Sequence, residues 1–307
     1  MEAVLTSSVH PPGYWLFPIG LSLAFLFAYV PGDWPLYGLL AVGVAVFGIP
    51  HGSLDTAVAE RYIPLQNIGE KLIFSVAYLS IGGAVILFWW YVPTTALAAF
   101  LLYSAFHFGD DVSPRLGRVG GTGYGLLVLA LPIAAQPSEV EPIFLALGAM
   151  NADLLIRMAP WALAVGAPFL LVSLLTSVTC STSDWRDPML LGLGALLLHP
   201  LAYFVAYFCF LHSPRHMENT SRDLGLNTWR DRLLTIAPTT LITYVLIGSA
   251  VPFLIHLPPD AILLRIVFIS LAALTVPHIV LETFAGTRRR RQPPAVKADK
   301  LCGPGVH

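Results

Sequence analysis
His212 and His216 stand one helical turn apart in Phe-Leu-His-Ser-Pro-Arg-His, and His51, His107 and His278 sit in or at the ends of other apolar runs. Ionisable side chains at membrane depth are expensive and are usually kept for function. Neutral imidazoles ligate transition metals, and bundles build metal sites from side chains on facing helices. The histidines therefore point to a buried metal site assembled from several segments.

Their local settings add to this. His51 lies in Ile-Pro-His-Gly-Ser-Leu-Asp, where Pro50 loosens a helix and Gly52 lets another backbone or a ligand approach. His107 lies in Ser-Ala-Phe-His-Phe-Gly-Asp-Asp, between two aromatic rings. The i, i+4 spacing of His212 and His216 puts both rings on one helix face, with Pro214 between them a point where the helix is expected to kink or end. The segments at 49–55 and 276–282 share the pattern aliphatic-Pro-His-x-x-Leu-acid, so Asp55 follows His51 and Glu282 follows His278 at the same spacing, while Asp110 and Asp111 follow His107 closely. A carboxylate holding the distal N–H of a ligating imidazole is the usual support of such a site. Asp55, Asp110 and Glu282 are candidates for that role; the competing one is to cap or neutralise helix ends near the headgroups. A lone intramembrane histidine also serves as an interhelical hydrogen-bond partner. His199, on a different helix face from His212 and His216, is read that way, and His10, His256 and His307 are assigned no role.

Imidazoles without thiolate suit zinc, copper or iron. Such a set leaves coordination positions open to a small molecule, which for iron would be dioxygen. Cys180, Cys209 and Cys302, the 3 cysteines, have no paired spacing and argue against both a thiolate cage and a disulfide framework. Phe106, Phe108 and the run from Tyr203 to Phe210 crowd the histidine-bearing segments. Aromatic residues at helical spacing serve ordinary packing; here they would also suit a long, flat, conjugated molecule entering from the bilayer.

The elements that must position these residues are membrane helices. Hydrophobic residues make up 56% of 307 and charged residues 11%, with mean hydropathy +0.72, against roughly 25% charge in a soluble domain. Net charge is −1, which indicates no nucleic-acid surface. Stretches of about 20 apolar residues, the length of a spanning helix, tile the chain near 14–30, 36–59, 70–92, 94–109, 121–137, 142–158, 160–181, 188–212, 233–256 and 261–286. The expectation is an all-α polytopic transmembrane bundle of about 8–10 helices over residues 1–286, followed by a basic, disordered cytoplasmic tail at 287–307. With the N-terminus inside, all of the 17 basic residues except Arg186 and Arg265 fall in inside loops. That is the positive-inside asymmetry, and it predicts both termini in the cytoplasm. The same topology puts His51, His107, His212, His216 and His278 in the cytoplasmic half, where separate helices can bring them into one layer.

Pro50-His51-Gly52 with Asp55, Phe106-His107-Phe108-Gly109 with Asp110, the run from His199-Pro200 through Tyr203 to His212-Ser213-Pro214-Arg215-His216, and Pro277-His278 occur in the order seen in the Brp/Blh family of membrane proteins, which the chain resembles over about residues 40–285. The resemblance implies cleavage of β-carotene at its central 15,15′ double bond with O2, giving two molecules of retinal. It implies Fe(II) held by His51, His107, His212 and His216, with His278 near the site. It also implies an inner-membrane location, contact with membrane lipid and a functional link to a retinal-binding rhodopsin. Two rivals accompany it. A non-enzymatic retinal or carotenoid delivery protein or transporter would use the histidines as hydrogen-bond partners or proton relays. A di-metal hydroxylase or desaturase would carry several closely spaced histidine boxes, where this chain has one close pair.

Overall fold
Backbone amides inside a bilayer find no water, and helices satisfy them internally. The computed structural model, which describes residues 16–28, 30–176 and 186–291, is accordingly all-helical. Its 11 helices are α1 (Leu16–Ala28), α2 (Trp34–Tyr62), α3 (Ile68–Tyr91), α4 (Pro93–Gly109), α5 (Ser113–Ala135), α6 (Pro137–Ala146), α7 (Ala152–Thr176), α8 (Arg186–Leu197), α9 (200–224), α10 (Trp229–Phe253) and α11 (Pro259–Arg291). Six of them, α2, α3, α5, α7, α10 and α11, are long and apolar enough to cross a membrane, so the chain is a multi-pass membrane protein. Trp89 is the one buried residue of α3 and Thr240 that of α10. The exposed faces of both are largely apolar, as lipid contact requires.

Small residues set the closest helix contacts. A Cβ on Gly125 of α5 would lie 1.7 Å from the Ala105 carbonyl oxygen of α4, so only glycine permits this approach. The same contacts fix direction. Gly109 meets Gly121 and Ala105 meets Gly125, so α4 and α5 are antiparallel; Gly120 meets Ser173 and Gly123 meets Gly166, so α5 and α7 are antiparallel too. α6 therefore begins and ends at one end of the bundle instead of crossing it. Polar side chains tie it there: the Gln136 amide donates to the carbonyls of Ala195 (3.0 Å) and Leu198 (2.6 Å), Arg265 Nε to Ala146 O (2.8 Å) and Trp89 Nε1 to Leu147 O (3.0 Å).

This differs from the expected spans in two places. The stretch 142–158 is not one helix. α6 stops at Ala146, Gly148 adopts φ 91, and α7 starts at Ala152 with Asp153 in its first turn. The stretch 188–212 is divided at Leu198–His199, where His199 caps α9 by accepting the Leu201 N–H at Nδ1 (3.2 Å). Arg186 begins α8 beside Asp187, which Arg215 of α9 grips at 2.6 Å, so this end of α8 lies with the arginine-rich end of α9. Arg157 in turn lies near the start of α7, at the α6 end of the bundle. The tail expected from 287 begins as helix, since α11 continues to Arg291; the rest of it, with Cys180, Cys302, His10 and His307, lies outside the described residues.

The two helices that carry Pro-flanked histidines are locally irregular. α2 contains a π-helical stretch, Val44–Gly48, before Pro50, and α9 contains another, Val205–His212, before Pro214. Proline removes an N–H donor, and π turns re-pair the carbonyls that this frees. Ile49 N–H reaches back to Val44 O and Ser213 N–H to Phe208 O. Side chains satisfy others: Ser213 Oγ donates to Phe47 O (2.9 Å) and Tyr244 Oη to Ala45 O. Pro214 thus starts the segment Ser213–Leu224 without diverting the helix, and His216 stays near His212.

Candidate metal centre
α2 supplies His51, α4 His107, α9 His212 and His216, and α11 His278. All five meet in one layer. The ring of His51 lies 4.3 Å from His216, 5.0 Å from His278, 5.1 Å from His212 and 6.2 Å from His107, centre to centre. His107 lies 5.0 Å from His212 and 5.2 Å from His278, and His216 lies 5.0 Å from His278. The closest convergence of donor atoms is that of His51, His107 and His278, whose ring nitrogens all lie within 4.8 Å of one another.

Burial makes this layer chemically informative. His51, His107, His212 and His278 are 7, 8, 2 and 2% exposed, and in each one ring nitrogen is buried without a hydrogen-bond partner: Nδ1 of His51 and Nε2 of the other three. An unpaired buried polar atom costs about 1–3 kcal/mol, so four of them in one layer, on separate helices, are a strain that a bound metal ion would relieve. His216 is half-buried, and its Nε2 lies 3.3 Å from Thr220 Oγ1.

Two of the imidazoles are held from behind. His278 Nδ1 lies 2.7 Å from Asp55 Oδ1, and Asp55 Oδ2 accepts from Tyr78 Oη at 2.7 Å. His212 Nδ1 lies 3.0 and 3.1 Å from the two oxygens of Asp111, which accepts from Tyr207 Oη at 3.0 Å. With Nδ1–H donating to a carboxylate, Nε2 of each imidazole carries a lone pair directed into the layer. The two carboxylates also bring negative charge next to a site whose neutral donors leave a divalent ion uncompensated. This donor set fits zinc, copper or iron.

The placements refine the expectations from sequence. Asp55 supports His278 from another helix, not His51 four residues before it. Asp111, not Asp110, reaches an imidazole, and it is that of His212. Asp110 and Glu282 instead line an open cavity of about 820 Å³ between α4, α5 and α11, together with His107, Tyr103, Phe106 and Arg118. His278, expected only near the site, contributes one of the three most tightly grouped nitrogens. Tyr78 was not foreseen; its place on an otherwise lipid-facing helix gives no sequence signal beyond a polar atom in an apolar run.

A second cavity, of about 100 Å³, lies on the opposite side of α4 and is lined almost wholly by apolar atoms. Phe108 forms its wall nearest the imidazoles, packing edge-on against His212 at 4.8 Å, and Tyr207 lies beside it, 5.0 Å from Phe108. Consecutive residues of one helix, His107 and Phe108, therefore border different cavities.

Comparison with known proteins gives a consistent answer. A family described as "Beta-carotene 15,15'-dioxygenase" matches residues 42–285. The "Beta-carotene 15,15'-dioxygenase" of uncultured marine bacterium 66A03 is 31% identical over 262 residues, covering 80% of this chain and 92% of that protein. The "Probable beta-carotene 15,15'-dioxygenase Blh" of Halobacterium salinarum is 24% identical over 291 residues, covering 81% and 84%. No solved structure matches significantly.

Proposed function
Because this chain belongs to the β-carotene 15,15′-dioxygenase family, we propose that it cleaves β-carotene at the central 15,15′ double bond with O2, giving two molecules of all-trans-retinal, with Fe(II) held by the imidazole layer. The observation that carries the metal part is the set of unpartnered buried nitrogens on His51, His107, His212 and His278. With His216 adjoining them, the layer holds one imidazole more than a four-histidine set needs, and of His216 and His278 it is His278 whose unpartnered nitrogen groups with His51 and His107. Bound Fe(II) supplies the electron chemistry that lets ground-state dioxygen react with a polyene. Overall, one C=C bond is broken and two C=O bonds are formed, using both atoms of one O2.

The chain's own residues do the rest. Asp55 and Asp111 keep the Nδ1–H tautomers of His278 and His212 and fix their ring planes. Tyr78 and Tyr207 each donate a hydrogen bond to one of these carboxylates and hold it in place behind its imidazole. The two cavities flank His107 and Phe108, and a rod-shaped substrate would lie with one half in each and its middle beside the imidazoles once Phe108, the wall of the apolar one, turns aside. The apolar side excludes water from the polyene. Arginines gathered at the histidine end, among them Arg61, Arg215, Arg222 and Arg232, support a topology with that end and both termini in the cytoplasm of an inner membrane. Retinal released into lipid would be available to a retinal-binding rhodopsin.

Expression in a β-carotene-producing bacterium, with retinal and residual carotene quantified by chromatography, tests the reading. Retinal is expected with the intact chain and not with His212→Ala. Unchanged carotene, with the protein present in the membrane and iron supplied, would overturn it in favour of a delivery role.

A further inference from the structure
The apolar cavity has a floor that no chemistry at the imidazoles requires. It is α6, the short helix that turns back without crossing the bundle. Val140, Ile143 and Phe144 on one face of that helix, and Leu147 at its C-cap, line the cavity at i, i+3, i+4 and i+7. The opposite limit is Phe108, against His212. Along α4 the lining runs from Leu97 to Phe108, which at 1.5 Å per residue is about 16 Å, the scale of half a carotenoid with its terminal ring. The cavity has a volume of about 100 Å³ and an almost wholly apolar lining, which suits a polyene. It takes the wider ring when half-buried Leu129, Ile133 and Phe204 turn aside, a change common on binding.

α6 is also fixed more firmly than its length explains. A ten-residue helix is marginal alone, yet Gln136 anchors its start to α8, while Arg265 and Trp89 hold the carbonyls at its end. These are polar side chains spent on a segment far from the imidazoles. A stop against which a substrate abuts must be rigid, because its position is read out in the product.

From these observations we propose that α6 is the depth stop of the enzyme: the ring end of a carotenoid seats against Val140, Ile143 and Phe144, and the distance from that face to the imidazole layer selects the double bond that is cleaved. The proposal rests on the cleavage reading above and adds the residues that make cleavage central. Lowering the floor lets the polyene slide inward. The bond presented to the imidazoles is then one nearer the far end, and the same exchange of one C=C and one O2 for two C=O groups yields carbonyl products of unequal length.

The test is to incubate Phe144→Ala and the wild-type protein, each with Fe(II), O2 and β-carotene, and to measure product lengths by chromatography with mass detection. Phe144→Ala is expected to give an unequal pair, one product longer and one shorter than retinal, at the expense of retinal, with metal content as in wild type. Should it fail to accumulate, Val140→Ala removes less volume from the same face and carries the same expectation. Val140→Phe, which raises the floor, is expected to weaken inhibition by β-ionone, the ring end alone. Equal halves from the enlarged variants, with β-ionone inhibition unaltered in Val140→Phe, would overturn the depth stop and leave the cleavage reading standing. Failure of the wild-type chain to cleave at all would overturn both.

Discussion
Asp55 and Asp111 do the same work by the same geometry, each gripping Nδ1 of a histidine on another helix and each held by a tyrosine hydroxyl. Loss of such support typically lowers metal affinity 10–100-fold. Asp55→Asn and Asp111→Asn should therefore weaken Fe(II) binding by about that factor, as measured by titration of the metal-free protein, while Asp110→Asn, at a side chain that touches no imidazole, should leave it unchanged. His278→Ala should abolish metal retention as completely as His51→Ala or His107→Ala. It should also destabilise the fold, because Asp55 is left buried with only Tyr78 as partner, a loss of about 3–5 kcal/mol for a broken buried pair. Residue types made the five histidines legible in the sequence. Their supports were less so: an i, i+4 spacing suggested Asp55 for His51 and Glu282 for His278, whereas the actual partners cross between helices, which spacing along one helix cannot reveal.

Helix irregularity and close helix approach decide where those side chains arrive. Gly125 is the tightest point between α4, which carries His107, and α5. Gly125→Val should force the two apart and lower the thermal midpoint, overpacking costing about 1–3 kcal/mol or more. Gly83→Ala in α3, where a Cβ meets nothing within 4 Å, should be neutral or slightly stabilising. At the arginine-rich end, Glu218 accepts from Arg232 (2.5 Å) and Arg222 (2.7 Å), and the Arg232 contact above all holds its carboxyl below the usual carboxylate range. A depressed folded-state value means that the stabilisation is present at neutral pH and is lost as pH falls below about 4.3 and through the folded value. The wild-type thermal midpoint should fall over that window, and that of Glu218→Gln should fall less. The long apolar helices were legible from hydropathy. The division at His199, the end of α6 and the π turns were not, since each depends on which freed carbonyl finds a partner on a neighbouring helix.

For the molecule as a whole, the reassignment of two segments leaves the charge asymmetry intact while exchanging two residues. Arg186, expected outside, lies with Asp187 and Arg215 at the histidine end; Arg157, expected inside, lies at the α6 end near Arg265. Had 142–158 been a crossing, Asn151 would lie within the membrane. In the observed fold it is exposed in the turn between α6 and α7, at the end away from the histidines. A chain carrying Asn151→Cys, with Cys180, Cys209 and Cys302 replaced by Ser, should thus be labelled in intact cells by a membrane-impermeant thiol reagent. Asn227→Cys in the same background, in the turn between α9 and α10 beside Arg230, should be labelled only after the membrane is opened. Labelling at 227 but not at 151 in intact cells would invert the bundle and place the basic end outside, against the positive-inside rule. Protection at both would mean that the α6 turn is buried in lipid or protein. The expected pattern would put α6 at the outer face and the imidazole layer toward the cytoplasm, so that the apolar half of the substrate path points outward and the half lined by Asp110, Arg118 and Glu282 faces the compartment that supplies iron.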